Sequence, residues 1–557
     1  MAENYKELAA AITSAVKDSL KESKKAKEIS AATLCYEMLR DAPVKVVFDE
    51  YNEPFFILPD YWVSKDDAND ANDASSKLIL IGSCDEGVKD NRVSIVTNVS
   101  SVILRYPVSI KSQILYRVLS RKFFDTYGKT IGDASIKQAI QTHAGGVARS
   151  QLFYNRVGVD KDGDWWIDMG DARYILVTDE GWSIQGKTDV CFRHYSHQSV
   201  IPTPKHGKGD VFNLLDFINL PDVDSQLLHL VWSIETLIPG IIQCVEYLYG
   251  GRGTVKTSGQ LSVKQIFDPS VAGAITLPND TNNLNQNLDH HRIPVFDNVG
   301  YITQEQSDTL CRGVTGLGYQ KRALYTDDED VTRYFRRCIA LNGINPVVDQ
   351  GDLSQRMIML ETEPLPESMR KTDQEVQSLL NGYAPGILAD ALDVLVKARQ
   401  LIKEGFTVKN LPRMADFVYW GCAITQALGL DYEKFMVAYQ LNQRDAEQSI
   451  VRNNLIGGLI VDYMDSFKGD KEFPAQDLYA ALKIRAIDAG IDVRRDYPGN
   501  VRWFTDTIRK IGPSFPSVGF SLSVKKKAEG AMVLVSRLKS TTLDGATEKQ
   551  VSALKAN

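Results

Sequence analysis

Tyr249-Gly-Gly-Arg-Gly-Thr-Val-Lys-Thr-Ser258 stands directly behind the apolar run Cys244-Val-Glu-Tyr-Leu-Tyr249. A strand that ends in glycines and restarts as a helix can curl its backbone N–H groups around phosphate oxygens. Gly250, Gly251 and Gly253 loosen the turn, Lys256 reaches terminal phosphates, and Thr257 offers a hydroxyl to magnesium. The helix beginning at Lys256-Thr257 turns its N-terminus toward the anion. Gly250, Gly251, Gly253, Thr254, Val255, Lys256, Thr257 and Ser258 therefore form the candidate ATP-binding set. One position departs from the pattern: Val255 stands where a glycine normally precedes the lysine. Taken alone, the stretch also fits a glycine turn before an ordinary helix, so the residues downstream carry the decision.

Some 40 residues on, Arg292-Ile-Pro-Val-Phe-Asp-Asn298 supplies an apolar strand ending in an acid. Asp297 can hold magnesium through water, which makes Thr257 and Asp297 the candidate metal residues. A third strand, Cys338-Ile-Ala-Leu-Asn342, ends in an amide suited to the γ-phosphate or the lytic water. Asp352-Leu-Ser-Gln-Arg-Met-Ile-Met-Leu360 then places Arg356 just before a fourth strand, where it could stabilise charge on a neighbouring subunit's phosphate.

These segments, with Phe267-Asp-Pro-Ser270, Asp308–Gly316, Leu324–Glu329 and Leu341-Asn-Gly-Ile344, resemble ATPases of phages, plasmids and integrated mobile elements. That group is related to superfamily 3 helicases and to the helicase half of poxvirus-type primase-helicases. Weaker similarity at Trp165–Asp171, Pro202-Thr-Pro204 and Leu411–Asp416 extends the resemblance over roughly residues 110–430. It implies a ring-forming AAA+ fold, DNA unwinding and a role in replication. By position, Lys256 and Thr257 would be Walker A, Asp297 Walker B, Asn342 sensor 1 and Arg356 the arginine finger. Many AAA+ enzymes carry Glu where Asn298 stands; an amide orients water but cannot accept its proton, which leaves Asp308 as a possible helper.

Outward from this core, 557 residues predict three or four domains, and 43% apolar with 24% charged residues excludes wholesale disorder. The expected class is α/β and multidomain. A mixed α+β region spans 1–150, with a helix pattern over Tyr5–Lys27, a hairpin of Val44–Glu50 with Pro54–Pro59, and an acidic loop over 65–76. A β-rich module follows over 151–205, the P-loop AAA+ core over 206–370 and a helical lid over 371–465. A winged-helix-like DNA-binding domain covers 466–540, and a flexible tail 541–557.

No window approaches ~18 uninterrupted apolar residues and no signal-peptide block opens the chain, so a cytoplasmic protein without membrane contact is expected. Seven cysteines without a Cys-x-x-Cys pair fit reduced thiols. The net charge of −7 does not advertise DNA binding, but residues 471–540 carry 13 Lys and Arg against 7 Asp and Glu. Any DNA footprint is therefore local. Lys321 and Arg322, in a hairpin preceding the Asn342 strand, are candidates for tracking a phosphate backbone. In the C-terminal domain the candidates are Arg502, Arg509 and Lys510 on one helix, with Lys525, Lys526 and Lys527 at a wing. Cys191, His194, His197 and His206 lack convincing zinc spacing, and Asp160–Asp171 reads as hairpin turns rather than a two-metal site. The functional expectation is an ATP- and magnesium-dependent DNA helicase or translocase acting as a homo-oligomeric ring, a hexamer by preference. The alternative is a nucleotide-gated DNA-binding or assembly protein that hydrolyses ATP weakly.

Overall fold

The computed structural model describes residues 29–49, 53–59, 62, 106–145, 151–316, 318–322, 330–346, 351–527 and 530–538. The helix pattern over Tyr5–Lys27, the acidic loop at 65–76 and the tail at 541–557 lie outside these residues. Two compact units emerge: residues up to 153 together with 191–193, and 154–190 together with 194 onward.

In the first unit, Ser30 caps the Ala31–Asp41 helix by accepting the Thr33 N–H at 3.1 Å. The expected hairpin forms from Lys45–Phe48 and Pro54–Ile57, and Val108–Ser109 adds a third strand that its two-residue length hid from the sequence. Helices Gln113–Tyr127 and Asp133–Ala144 close a core of Cys35, Leu39, Phe56, Leu115, Leu119, Phe123 and Ile136.

The second unit is built on a five-stranded parallel sheet. Its order is Ala274–Thr276, Val295–Asp297, Ala340–Gly343, Val245–Tyr249 and Met357–Glu361. Parallel strands covered on both faces read as continuous apolar runs, and the three central ones are buried almost throughout. The Met357–Glu361 edge is covered. Asn442 accepts the Met359 N–H at 3.0 Å and returns its amide to the Met359 carbonyl at 2.6 Å, satisfying backbone groups that an edge strand would otherwise expose.

The β-rich stretch forms a four-stranded antiparallel meander of Val157–Val159, Trp165–Asp168, Tyr174–Val177 and Trp182–Gln185. It shares one hydrophobic cluster with the parallel sheet, because Val157, Trp165, Ile167, Ile175 and Val177 all turn inward. Arg399 ties it to the long helix Asp373–Lys403, stacking over Trp165 at 4.6 Å and pairing with Asp164 at 3.1 Å and Asp179 at 2.9 Å. That helix is long and apolar enough to cross a membrane by length and composition, yet Ile387, Leu388, Leu392 and Leu395 are buried in the same core. Helices Ala415–Ala427 and Tyr432–Asn453 also join this cluster through Phe417, Phe435 and Tyr439.

A second cluster organises the C-terminal segment. There, helix Leu455–Met464, strand Lys471–Pro474, helices Ala475–Asp488 and Val501–Ile511, and strands Phe520–Lys527 and Gly530–Arg537 follow in turn. The last strand lies between the other two, so the final hairpin stands beside the two helices.

Candidate nucleotide site and candidate nucleic-acid surface

Because every strand of the sheet runs the same way, the turns after Tyr249, Asp297 and Gly343 emerge at one edge. The chain leaves Tyr249 through Gly250, whose φ of 153° and approach to Thr362 leave no room for a side chain: a Cβ there would collide with the Thr362 carbonyl. Thr362 fastens the loop from the next strand, donating its N–H to the Tyr249 carbonyl at 2.8 Å and placing its hydroxyl 2.9 Å from that of buried Thr254. The helix Lys256–Phe267 then starts from Val255, held in the left-handed region at φ 52° and ψ 24°. A β-branched residue is strained there, and glycine is not. The backbone thus takes at Val255 a conformation that glycine adopts without strain.

Lys256 folds over the loop, donating to the carbonyls of Gly250 at 2.9 Å and Gly251 at 2.8 Å and to the Thr254 hydroxyl at 2.8 Å. Burial pulls its ammonium below the ordinary lysine range, while the Asp297 carboxylate works the other way. The Thr257 hydroxyl donates to the Asp297 carboxylate at 2.8 Å. One oxygen from the first turn of a helix and one from the end of a strand, both half-buried, form a donor set that would suit magnesium, which prefers few protein oxygens and keeps its waters.

Beneath this pair runs a buried polar chain that the sequence did not reveal. The Asn298 N–H donates to the Asn342 side-chain oxygen at 3.2 Å, and the Asn342 amide donates to Gln260 at 3.0 Å. Gln260 in turn donates to Glu246 at 3.1 Å and to the Leu341 carbonyl at 2.9 Å. Glu246 ends on His229 Nδ1 at 2.6 Å, and neither side chain is exposed. These bonds fix which way the Asn342 amide points: its oxygen faces the Asn298 turn and its nitrogen faces the core. Asn298 has φ 55°, a conformation asparagine tolerates better than most residues. Glutamate there would carry a left-handed penalty, which is a backbone reason for the amide. Asp308 is exposed on helix Gln304–Thr315, where it accepts from Gln304 at 2.8 Å.

At its far end the Lys256–Phe267 helix is anchored by Asp268, paired with Arg156 at 3.0 Å and Lys264 at 3.3 Å, all three buried. Burial alone would raise the Asp268 carboxyl; the two cations outweigh it and hold it below its usual range.

Arg356 lies at the opposite end of the sheet from the loop, since its carbonyl accepts the N–H of Val245, the first residue of the loop's own strand. Its guanidinium is mostly buried and engaged with Asp352 at 2.5 Å, a carboxylate that also binds Arg413 at 2.6 Å. The structure therefore keeps Arg356 away from Lys256 and Asp297, which it brings together.

The two groups set aside in the sequence disperse. Cys191 donates to Gln151, His206 pairs with Asp393, and His197 packs on His291. Asp160 accepts from the N–H groups of Asp162 and Asp164 and from the Trp166 indole, as a hairpin turn requires. Among the described residues no group of three or more His, Cys, Asp or Glu is placed to hold a metal.

The candidate nucleic-acid residues fall on two elements. Lys321 and Arg322 belong to strand Tyr319–Arg322, paired with Asp330–Arg333, so both stand in the arm beside the turn. The residues joining the arms lie outside those described; in sequence they include Asp327, Asp328 and Glu329. In the C-terminal segment Arg502, Arg509 and Lys510 are exposed on helix Val501–Ile511, while Phe504, Ile508 and Ile511 are buried. Lys525, Lys526 and Lys527 are exposed at the end of the hairpin strand, with Lys527 held by Glu472.

Residues 211–445 match the family of the actinomycete integrative conjugative element replication protein. The matched stretch contains the whole parallel sheet, and it supports a replication-associated protein of a mobile element. Two solved structures of the apo C-terminal region of NrS-1 also align. The first has 14% identity over 92% of this chain and 100% of that one, with a TM-score of 0.36. The second has 13% identity over 90% and 98%, with a TM-score of 0.34. Likeness at that level does not establish a shared fold. No curated protein matches the sequence.

Gln260, Glu246, His229 and Thr362 escaped the sequence reading because their role rests on partners far away in the chain. One signal was present: Glu246 sits in the middle of an otherwise apolar strand, and a buried acid needs a partner.

Proposed function

We propose that this chain is an ATP- and magnesium-dependent DNA translocase or helicase with an AAA+-type P-loop core, working as a ring in the replication of a mobile element. The observation that carries the reading is the Thr257–Asp297 hydrogen bond beside Lys256, at the carboxyl edge of a parallel sheet. The match to a replication family supports the setting. The helix, strand, helix, helix, hairpin order at the C-terminus supports a winged-helix domain.

In this reading the N–H groups of the 250–257 turn hold the phosphates, and Lys256 exchanges its three loop contacts for the terminal phosphate oxygens. Thr257 and Asp297 hold magnesium, which when bound neutralises charge on the phosphates. The Asn342 chain fixes the Asn298 turn, and the Asn298 amide orients water. Arg356 serves a neighbouring subunit, because its own loop is at the other end of the sheet; its pair with Asp352 must open for that.

A second reading has its own observation. Val255 strains the loop and Asn298 cannot accept a proton, which together favour a nucleotide-gated DNA-binding protein with slow hydrolysis. Strand displacement by the parent and by Lys256→Ala separates the two. ATP-dependent unwinding lost in the variant supports the helicase; nucleotide and DNA binding without unwinding in the parent supports the gated binder.

A further inference from the structure

We propose that the solvent face of helix Val501–Ile511 is a site for unpaired nucleotides, with Trp503 stacking on a base. The proposal rests on the DNA-acting reading above and names the form of DNA that this face takes. The helix buries Phe504, Thr505, Ile508 and Ile511. At 3.6 residues per turn, Arg502, Trp503, Asp506, Arg509 and Lys510 share an arc of about 120° on the other side. Trp503 is 63% exposed, whereas every other tryptophan of the chain is buried or half-buried. An indole left in water on the solvent side of a folded helix has no structural task there.

What surrounds it selects the ligand. Protein-docking faces place further apolar groups around an aromatic anchor. Here the same arc carries three cations, Arg502, Arg509 and Lys510. Asp506 is the single acid on the face, and Arg509 occupies it at 2.6 Å. Arg502 and Lys510 form no ion pair among the described residues, and Lys525 and Lys526 add exposed charge at the adjoining hairpin. A flat apolar ring among uncompensated cations complements a chain that is anionic along its backbone and presents π-faces. Duplex DNA hides those faces within the stack. A single strand or a fork junction exposes them, so the indole favours unpaired DNA while the cations serve either form. Asn500 caps the helix by accepting the backbone N–H of Trp503 at 2.9 Å, which sets Trp503 in the first turn, where the positive end of the helix also favours phosphate.

The test uses the full chain without nucleotide, an oligo-dT strand and a blunt hairpin duplex of equal length, with tryptophan emission and anisotropy as readouts. We expect oligo-dT to quench emission in the parent and not in Trp503→Phe, while Phe keeps most of the affinity. Trp503→Ala should weaken oligo-dT binding by about 5- to 100-fold and leave duplex binding within about twofold. Arg502→Ala/Lys510→Ala should weaken both ligands and flatten the salt dependence. Equal losses on both ligands, or none, would overturn the proposal. So would a change in sedimentation with unchanged DNA affinity, which would make the face a protein contact. Lys256→Ala separates this result from the ATPase reading: it should abolish unwinding and leave oligo-dT quenching intact. Quenching in a chain that binds no ATP would reject the ATPase and keep the site.

Discussion

Replacing Val255 by glycine and by alanine should invert the usual order of those two residues. In right-handed backbone, alanine is the more stable by roughly 0.5–1 kcal/mol, because glycine loses more freedom on folding. At φ 52° and ψ 24° a residue with a Cβ instead carries a penalty of roughly 1–2 kcal/mol. The difference favours Val255→Gly over Val255→Ala by about 0.5–1 kcal/mol. Urea unfolding followed by tryptophan emission reads the gap, which at a slope of 2–3 kcal/mol per molar is a midpoint difference of roughly 0.3 M. ATP affinity should move the same way, since an unstrained loop is already shaped for phosphate. If alanine is equal to or better than glycine, residue 255 is not left-handed and the loop is not wound as described.

Asp297→Asn keeps an acceptor for the Thr257 hydroxyl but removes the charge that holds magnesium, so ATP turnover should fall by about 100-fold or more while the melting curve barely moves. Unchanged turnover would remove Asp297 from the site. Gln260→Met strands the polar groups of Glu246, Leu341 and Asn342, and should cost roughly 2–4 kcal/mol in urea unfolding and lower turnover as the Asn298 turn loosens; a loss below about 1 kcal/mol would show that the chain is not closed as described. His291 is held down to about 3 by burial and by the Lys264 cation, against 6.5 for an ordinary histidine. Its folded value is depressed, so its share of stability is full above pH 6.5 and is lost as the pH falls toward 3. Between pH 7 and 5 that share is about 2 kcal/mol, and His291→Gln should flatten the acid limb of the stability profile by that amount; parallel profiles would show the ring already protonated or exposed. Deleting residues 471–557 should weaken DNA binding and leave ATP binding intact, and unchanged DNA affinity would reject the C-terminal surface.

Four of the five parallel strands were legible because they are apolar and border candidate site residues, whereas Ala274–Thr276, three residues long and partly exposed, gave no such signal. Lys256, Thr257 and Asp297 stood out as candidates from the order of motifs and the resemblance they carry, and the Thr257–Asp297 bond joins two of them across 40 residues of sequence. Order along the sheet was not legible: nothing in Ala340–Gly343 says that it inserts between Val295–Asp297 and Val245–Tyr249. The inward orientation of Asn342 was equally hidden, since it depends on Gln260 and Glu246, which have no local pattern. The β-rich stretch read correctly as alternating strands, but alternation reveals only that one face is buried and not against what. The exposure of Trp503 was not legible either, because an aromatic at helical spacing is usually core, and here Phe504 and Ile508 fill that role.

Titrating the purified chain with ATP by calorimetry, with and without magnesium, tests the central claim most directly. The parent should bind, magnesium should tighten binding, and Lys256→Ala should weaken it by at least about 10-fold through loss of a charge-assisted contact. Absence of binding in the parent, or equal affinity in Lys256→Ala, would contradict the assignment of Gly250–Ser258 as a nucleotide loop.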